Sequence, residues 1–274
     1  MQYKLVFVKA SPQHRLAGVG MGGNVMMVFS MLSNITDQDT LYVDMETNEC
    51  ICTDRALEES NPWEYYFSQQ KLDLSKEVVV RTTQTTGKIN FNYKDKSIGD
   101  DIERFIPWKN RFYNNFQLKE AVSIPVDIFY KTYIKGKITL GIQIRLTDQE
   151  FHHHTKSVTE SVIRAKEILK ENPSIEQVFL ATDDSTIISY VKNSLPVPVV
   201  YCENIFRADE FNKLCDPYDR LNSDRALHRY LLSLECLCDI FTLTKCDYLL
   251  KADLSGMSIV ACLLAENIKK VYSL

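Results

Sequence analysis

The sequence predicts an α/β protein of two Rossmann-like lobes facing a cleft, the C-terminal lobe built on a mostly parallel sheet. Three observations lead there. Strand-like and helix-like segments alternate through the second half of the chain, and that order produces a parallel sheet covered on both faces. A glycine-rich stretch follows the first strand-like run, as at the opening of a nucleotide-binding unit. The length, 274 residues, suits two lobes better than one minimal domain. The boundary is expected near 120–137, giving an N-terminal lobe of 1–125 and a C-terminal lobe of 126–274.

The elements follow from local pattern. "YKLVFVKA" (3–10) is strand-like, "SPQHRLAGVGMGGN" (11–24) is a glycine-rich loop, and "NVMMVFSMLSN" (24–34) carries apolar residues at helical spacing. "TLYVDM" (40–45) is a second strand. "NPWEYYFSQQ" (61–70) has the start signal of a helix, with Asn61 as cap and Pro62 in the first position. "EVVVRTT" (77–83) is strand-like, 100–122 is aromatic-rich and helical in pieces, and 125–136 is a helix leading into the second lobe. There, strands are expected at 138–144, 177–182, 197–201, 247–250 and 270–273. Helices are expected near 156–171, 184–194, 224–243 and 256–267.

Composition narrows the class. A net charge of −4 without a basic tract argues against a nucleic-acid backbone reader. No apolar run reaches the roughly 18–20 residues that span a bilayer, and the N-terminus has no signal-peptide pattern. A cytoplasmic protein is therefore expected, with peripheral association at the inner face of a membrane left open. The eight cysteines include two C-x-C pairs but no C-x-x-C, so free thiols in a reducing compartment are expected over a zinc site. The histidines of "HHH" (152–154) belong to a solvated loop or an acceptor contact rather than a shared metal.

Four stretches carry chemistry. In "GVGMGGN" (18–24) the glycines let backbone amides approach an anion, and the following helix adds its positive end; a flexible turn is the plain alternative. "GIQIRLTD" (141–148) delivers Arg145 to the carboxyl end of a buried strand, where open α/β sheets bind ligands. Its planar fork suits phosphate, or a salt bridge to Asp148. "VFLATDDSTIISYVKN" (178–193) places Asp183 at another strand end and Asp184 as a helix cap. Adjacent residues on a strand point apart, so the two carboxylates are not expected to chelate a metal. In "LHRYLLSLECLCDIF" Leu227, Leu231, Leu234, Cys238 and Phe241 recur at helical spacing, and Asp239 lies among them. A buried carboxylate needs a donor, either from a ligand base or from a backbone amide. Ser255, Gly256 and Ser258 then open a helix, which suits a phosphate or plain capping.

In this order the motifs resemble the fucosyltransferase superfamily, which includes α1,6-fucosyltransferases and nodulation fucosyltransferases and, more distantly, α1,2- and protein O-fucosyltransferases. The resemblance rests on "GIQIRLTD", "VFLATDDSTIISYVKNSLP" and "LCDIFTLTKCDYLLKADLSGMS", together with 18–24. It implies a GT-B-like fold and inverting, metal-independent transfer of L-fucose from GDP-β-L-fucose to a hydroxyl of a glycan or lipid-linked oligosaccharide in bacterial polysaccharide biosynthesis. No cofactor is implied beyond the donor. By the same resemblance Arg145 contacts the donor phosphates and Asp239 reads the guanine edge. Asp183 and Asp184 lie at the nucleotide pocket, Ser255 and Ser258 stand near the phosphates, and Gly20, Gly22 and Asn24 close over them. Gln143 stands where the α1,6 members carry a guanine-holding histidine, Leu146 replaces their second arginine, and His153 stands where they carry an acidic residue. Glu150 is the candidate general base, with His153 second. Another nucleotide sugar on the same fold, and a non-catalytic nucleotide-binding module, are the alternatives.

Overall fold

The computed structural model describes residues 1–8, 20–45, 57, 61–73, 77–83, 103–146, 158–208, 223–252 and 255–274. Two parallel sheets organise it. In the N-terminal sheet, β1 (Gln2–Val8) lies between β2 (Thr40–Asp44) and β4 (Glu77–Thr83), with Leu5 opposite Val43 and Val80. Helix α1 (Met21–Leu32) connects β1 to β2. It begins three residues before the predicted start, because Gly20 is already extended and serves as its N-cap. Gly22 and Asn24 are thus in the first helical turn, not in a loop.

The expected helix at 61–70 is one turn of 3-10 helix, Pro62–Tyr65, followed by β3 (Phe67–Gln69). The Asn61 cap is present: its Oδ1 accepts from the Trp63 amide at 3.2 Å. The same oxygen accepts from Met45 N–H and the side-chain amide donates to the Val43 carbonyl, so Asn61 also ties the turn to the end of β2. The chain then straightens because Trp63 and Phe67 stack at 4.3 Å in the core and β3 pairs antiparallel with β5 (Phe116–Leu118). Before β5 comes α2 (Ile106–Asn115), and after it α3 (Glu120–Phe129), which runs on as a π turn, Tyr130–Ile134.

The second sheet has strand order β10-β9-β6-β7-β8, and each of its pairings is parallel. Its strands are β6 (Thr139–Ile144), β7 (Gln177–Thr182), β8 (Val199–Val200), β9 (Tyr248–Lys251) and β10 (Lys270–Ser273). The intervening helices are α4 (Val158–Glu171), α5 (Ile188–Ser194), α6 (His228–Leu243) and α7 (Gly256–Leu264). Strand order reverses at β6: the chain winds outward through β7 and β8, then returns to β9 on the other side. The gap beyond the carboxyl ends of β6 and β9 is the topological switch point, where such sheets bind ligands.

Strand alternation sorts the two faces. Leu140, Ile142 and Ile144 join Leu180 and Leu250 in a core beneath α4 and α5. On the other face Phe179, Ala181 and Leu249 join α6, α7 and the whole N-terminal core, including Phe7, Val28, Phe29, Leu41 and Trp63. One apolar core therefore binds both sheets together. Its seam is aromatic: Tyr66 stacks on Tyr230 at 5.5 Å and donates to the Tyr230 carbonyl.

Gly141 explains the first letter of the arginine strand. A Cβ there would lie 2.7 Å from Leu249 Cδ2 and 2.9 Å from Leu243 Cδ2. Those are methyl ends that can shift, at a cost in packing. Gly141→Ala should therefore lower stability by about 1–3 kcal/mol, seen in urea as a reduced midpoint with unchanged slope. An unaltered midpoint would show that the site relaxes freely.

Candidate functional site

The switch point gathers most of the predicted residues. Gln143 points from β6 to the α7 side of the sheet and is buried. Its Oε1 accepts from Ser258 Oγ at 2.6 Å, and Ser258 Oγ accepts in turn from the Ala252 amide at 3.2 Å. One hydroxyl thus joins β6, the turn after β9 and the first turn of α7. Arg145 follows directly on β6 and is half-buried. Asp183, at the end of β7, accepts from the Leu146 amide at 3.0 Å, which fixes the chain leaving Arg145. Lys251 ends β9 and is buried. The register Ile142↔Leu250 puts it one rung on, beside Gln143.

Two helices begin here, one from each sheet. A Cβ on Gly22 would stand 3.1 Å from Met257 N, and one on Gly256 would stand 3.2 Å from Gly22 C. The N-termini of α1 and α7 thus touch backbone to backbone. Neither has a side-chain cap: Gly20 has no side chain, and Ser255 makes no capping bond. Ser255 Oγ is buried without a hydrogen-bond partner. Two uncapped helix ends with an unpartnered hydroxyl between strand and helix are chemically suited to an anion, since amide groups and both dipoles present positive charge. Gly20 lies at its rim, where a Cβ would meet nothing within 4 Å; Asn24 is fully buried in the first turn of α1.

A second cluster lies on the same face at the ends of β7 and β8. Asp239, on α6, is buried, and its Oδ1 has no hydrogen-bond partner. Burial raises its pKa from 3.8 to about 7. The Arg207 guanidinium and a hydrogen bond from the Cys202 thiol oppose the rise, and Glu235 and Asp183 add to it. Arg207 and Cys202 were not foreseen. Their only signal is position, in the loop leaving a strand end. Lys251 had the better signal, a cation ending an apolar strand as Arg145 does.

Asp184 is not a helix cap. Helix α5 begins four residues later, at Ile188; Asp184 Oδ1 instead accepts from the Thr186 amide and hydroxyl, closing the turn after β7. Glu150, His153, the rest of the "HHH" run and Asp148 lie outside the described residues, as do Cys50, Cys52 and Cys215. Cys202, Cys238, Cys246 and Cys262 are in no disulfide. Among the described residues no group of acidic, histidine and cysteine side chains is placed to hold a metal ion, and no helix is long and apolar enough to cross a membrane.

A parallel five-stranded sheet with reversed order, fused through one core to a second parallel sheet, defines an α/β fold of the GT-B kind. No protein-family model matches the sequence, and no curated protein matches it. Solved structures do. A NodZ α-1,6-fucosyltransferase soaked with GDP-fucose is similar over 98% of this chain and 93% of its own, with TM-score 0.54 and 12% identity. The fucosyltransferase NodZ from Bradyrhizobium is similar over 98% and 94%, at TM-score 0.53 and 13% identity. POFUT1 in complex with GDP is similar over 99% and 97%, at TM-score 0.50 and 9% identity. The fold of this chain is thus that of these fucosyltransferases.

The raised pKa of Asp239 has a thermodynamic sign. A carboxyl that holds its proton more tightly folded than unfolded favours folding while neutral. That contribution is complete below its ordinary value and is lost as pH rises through about 7. The full loss is on the order of 4 kcal/mol. Asp239→Asn removes the titration, so its stability relative to wild type should increase from pH 4 to pH 8 in urea unfolding of the ligand-free protein. A pH-independent difference would contradict the buried, weakly compensated carboxyl.

Proposed function

We propose that this protein is an inverting, metal-independent glycosyltransferase that transfers L-fucose from GDP-β-L-fucose to a hydroxyl of a glycan or lipid-linked oligosaccharide. The observation that carries the reading is the meeting of two uncapped helix N-termini at the switch point, with Ser255 Oγ partnerless beside them. That site suits a diphosphate. The second cluster, around Asp239, lies on the same face of the sheet and suits a base. Residues 126–274 would then be the nucleotide lobe and 1–125 the acceptor lobe. The NodZ and POFUT1 structures were obtained with GDP-fucose or GDP, which supports the choice of donor.

In the reaction the bond between the anomeric carbon and the diphosphate oxygen breaks, leaving its electron pair on GDP. The acceptor oxygen attacks the opposite face of the sugar, and its proton passes to a base, for which Glu150 is the candidate and His153 the alternative. Arg145, Ser255, and the first-turn amides of α1 and α7 stabilise the charge that grows on the leaving diphosphate. Fixed donors act strongly in a water-poor cleft because they need no reorganisation. Asp183 and the Ser258–Gln143 bond hold the frame from which these groups project.

Gln143 favours a second reading. Its carbonyl oxygen already accepts from Ser258, which leaves its amide N–H groups and one acceptor lone pair for a base; that donor-and-acceptor edge suits more than one base, so another nucleotide sugar on this fold is the alternative. Calorimetric titration in EDTA against GDP, UDP, ADP and GDP-fucose separates the two. Binding confined to GDP and GDP-fucose is expected; a preference for UDP or ADP replaces the donor, and silence toward all four sinks the site. Arg145→Ala should lower turnover by a factor of about 100 or more, as loss of a transition-state donor does. Wild-type turnover in that variant would remove Arg145 from the mechanism. Asp239→Asn should narrow the preference for GDP over UDP with a smaller effect on turnover at saturation; an unchanged preference would place the base elsewhere.

A further inference from the structure

Arg207 is buried, yet among the described residues its hydrogen bonds go to neutral groups. Its Nε donates to the Thr182 carbonyl and its Nη1 to the Ile205 carbonyl, each at 3.1 Å. The guanidinium carbon lies 5.4 Å from the centre of the Tyr201 ring. These contacts fix the plane of the fork at the end of β7. The remaining nitrogen, Nη2, is buried with no hydrogen-bond partner. Asp239 Oδ1, within electrostatic reach of Arg207, is in the same condition, on a helix that cannot slide without disturbing Leu237, Ile240 and Phe241 in the core.

The two groups feel each other, since Arg207 is the chief influence opposing the effect of burial on Asp239. They nevertheless do not meet: among the described residues neither takes part in an ion pair. The nearby pair of Arg225 with Glu235 shows that this region closes an ion pair where the side chains can reach. Burying opposite charges apart is costly unless something between them completes both. A planar group with an acceptor edge next to donor edges would complete both.

We propose that Arg207 is a base-specificity residue, donating from Nη2 to O6 of a guanine whose N1–H and 2-amino group donate to Asp239. This rests on the nucleotide-binding reading given above and adds the second half of its base contact. Adenine would set its 6-amino donor against the guanidinium and its bare N1 against the carboxylate. Uracil offers O4 and N3–H, but then turns O2, an acceptor, toward Asp239. Only the guanine edge satisfies the cation first and the carboxylate twice.

The test is calorimetry on the full chain with GDP, ADP and 6-thio-GDP, which keeps every N–H of guanine but presents sulfur, a weak acceptor, in place of O6. Wild type should bind 6-thio-GDP at least tenfold more weakly than GDP. Arg207→Met should bind GDP at least tenfold more weakly than wild type, lose most of that discrimination, and retain less preference over ADP. Arg207→Lys, with charge but no fork, should recover only part of the affinity. If Arg207→Met does not unfold cooperatively, the wild-type comparison decides alone. Equal wild-type affinity for GDP and 6-thio-GDP overturns the role of Arg207 and leaves the donor reading standing. Failure of wild type to bind GDP at all overturns both.

Discussion

The N-terminal ends of two helices, one from each sheet, meet through the backbone at Gly22 and Gly256. That contact is the constraint on which the rest of the molecule depends. It needs hydrogen atoms where any other residue carries Cβ, and it needs both sheets held at one fixed separation. The separation is set by a shared apolar core from Phe7 and Trp63 in the first sheet to Phe179 and Leu249 in the second. What elsewhere would be a solvent-lined joint between lobes is here a packed interior. Packing at interior density resists small displacements, so the amide groups of α1 and α7 keep their relative aim.

The polar frame around the contact is arranged in the same spirit. Ser258 serves both as donor to Gln143 and as acceptor for Ala252, and Asp183 fixes the backbone beyond Arg145. These groups are satisfied and therefore positional. Ser255 Oγ, Arg207 Nη2 and Asp239 Oδ1 are buried and unsatisfied. Buried polar atoms without partners are rare because each costs free energy. Three of them along the carboxyl edge of one sheet separate the frame from the groups left for a ligand.

Much of this was legible in the sequence, and the physical reason is burial. Strands covered on both faces must be apolar throughout, so β6, β7 and β9 stand out in any window of the chain. Arg145 stood out for the same cause, as a charge ending such a run. The stretch from Asn61 was misread because its helix-start signal is real but local: Asn61 and Pro62 do make a turn, and then Phe67 is drawn into the aromatic core and pairs with β5. Propensity yields to packing there. Asp184 was misread in the same way, its side chain spent on a turn before the helix. Arg207 was invisible because its importance lies in contacts to Thr182, Ile205 and Tyr201, and an arginine in a loop carries no pattern of its own.

The carboxyl of Asp239 titrates near neutrality because it is buried. Any ligand that donates a hydrogen bond to Oδ1 stabilises the ionised form and so drives off the proton that part of the ligand-free population still carries. Occupancy of this pocket and release of hydrogen ions into the medium are therefore one event. Part of the heat of association then belongs to whatever buffer takes up the proton. Acidifying the surroundings slightly below neutrality would loosen any ligand held through that hydrogen bond.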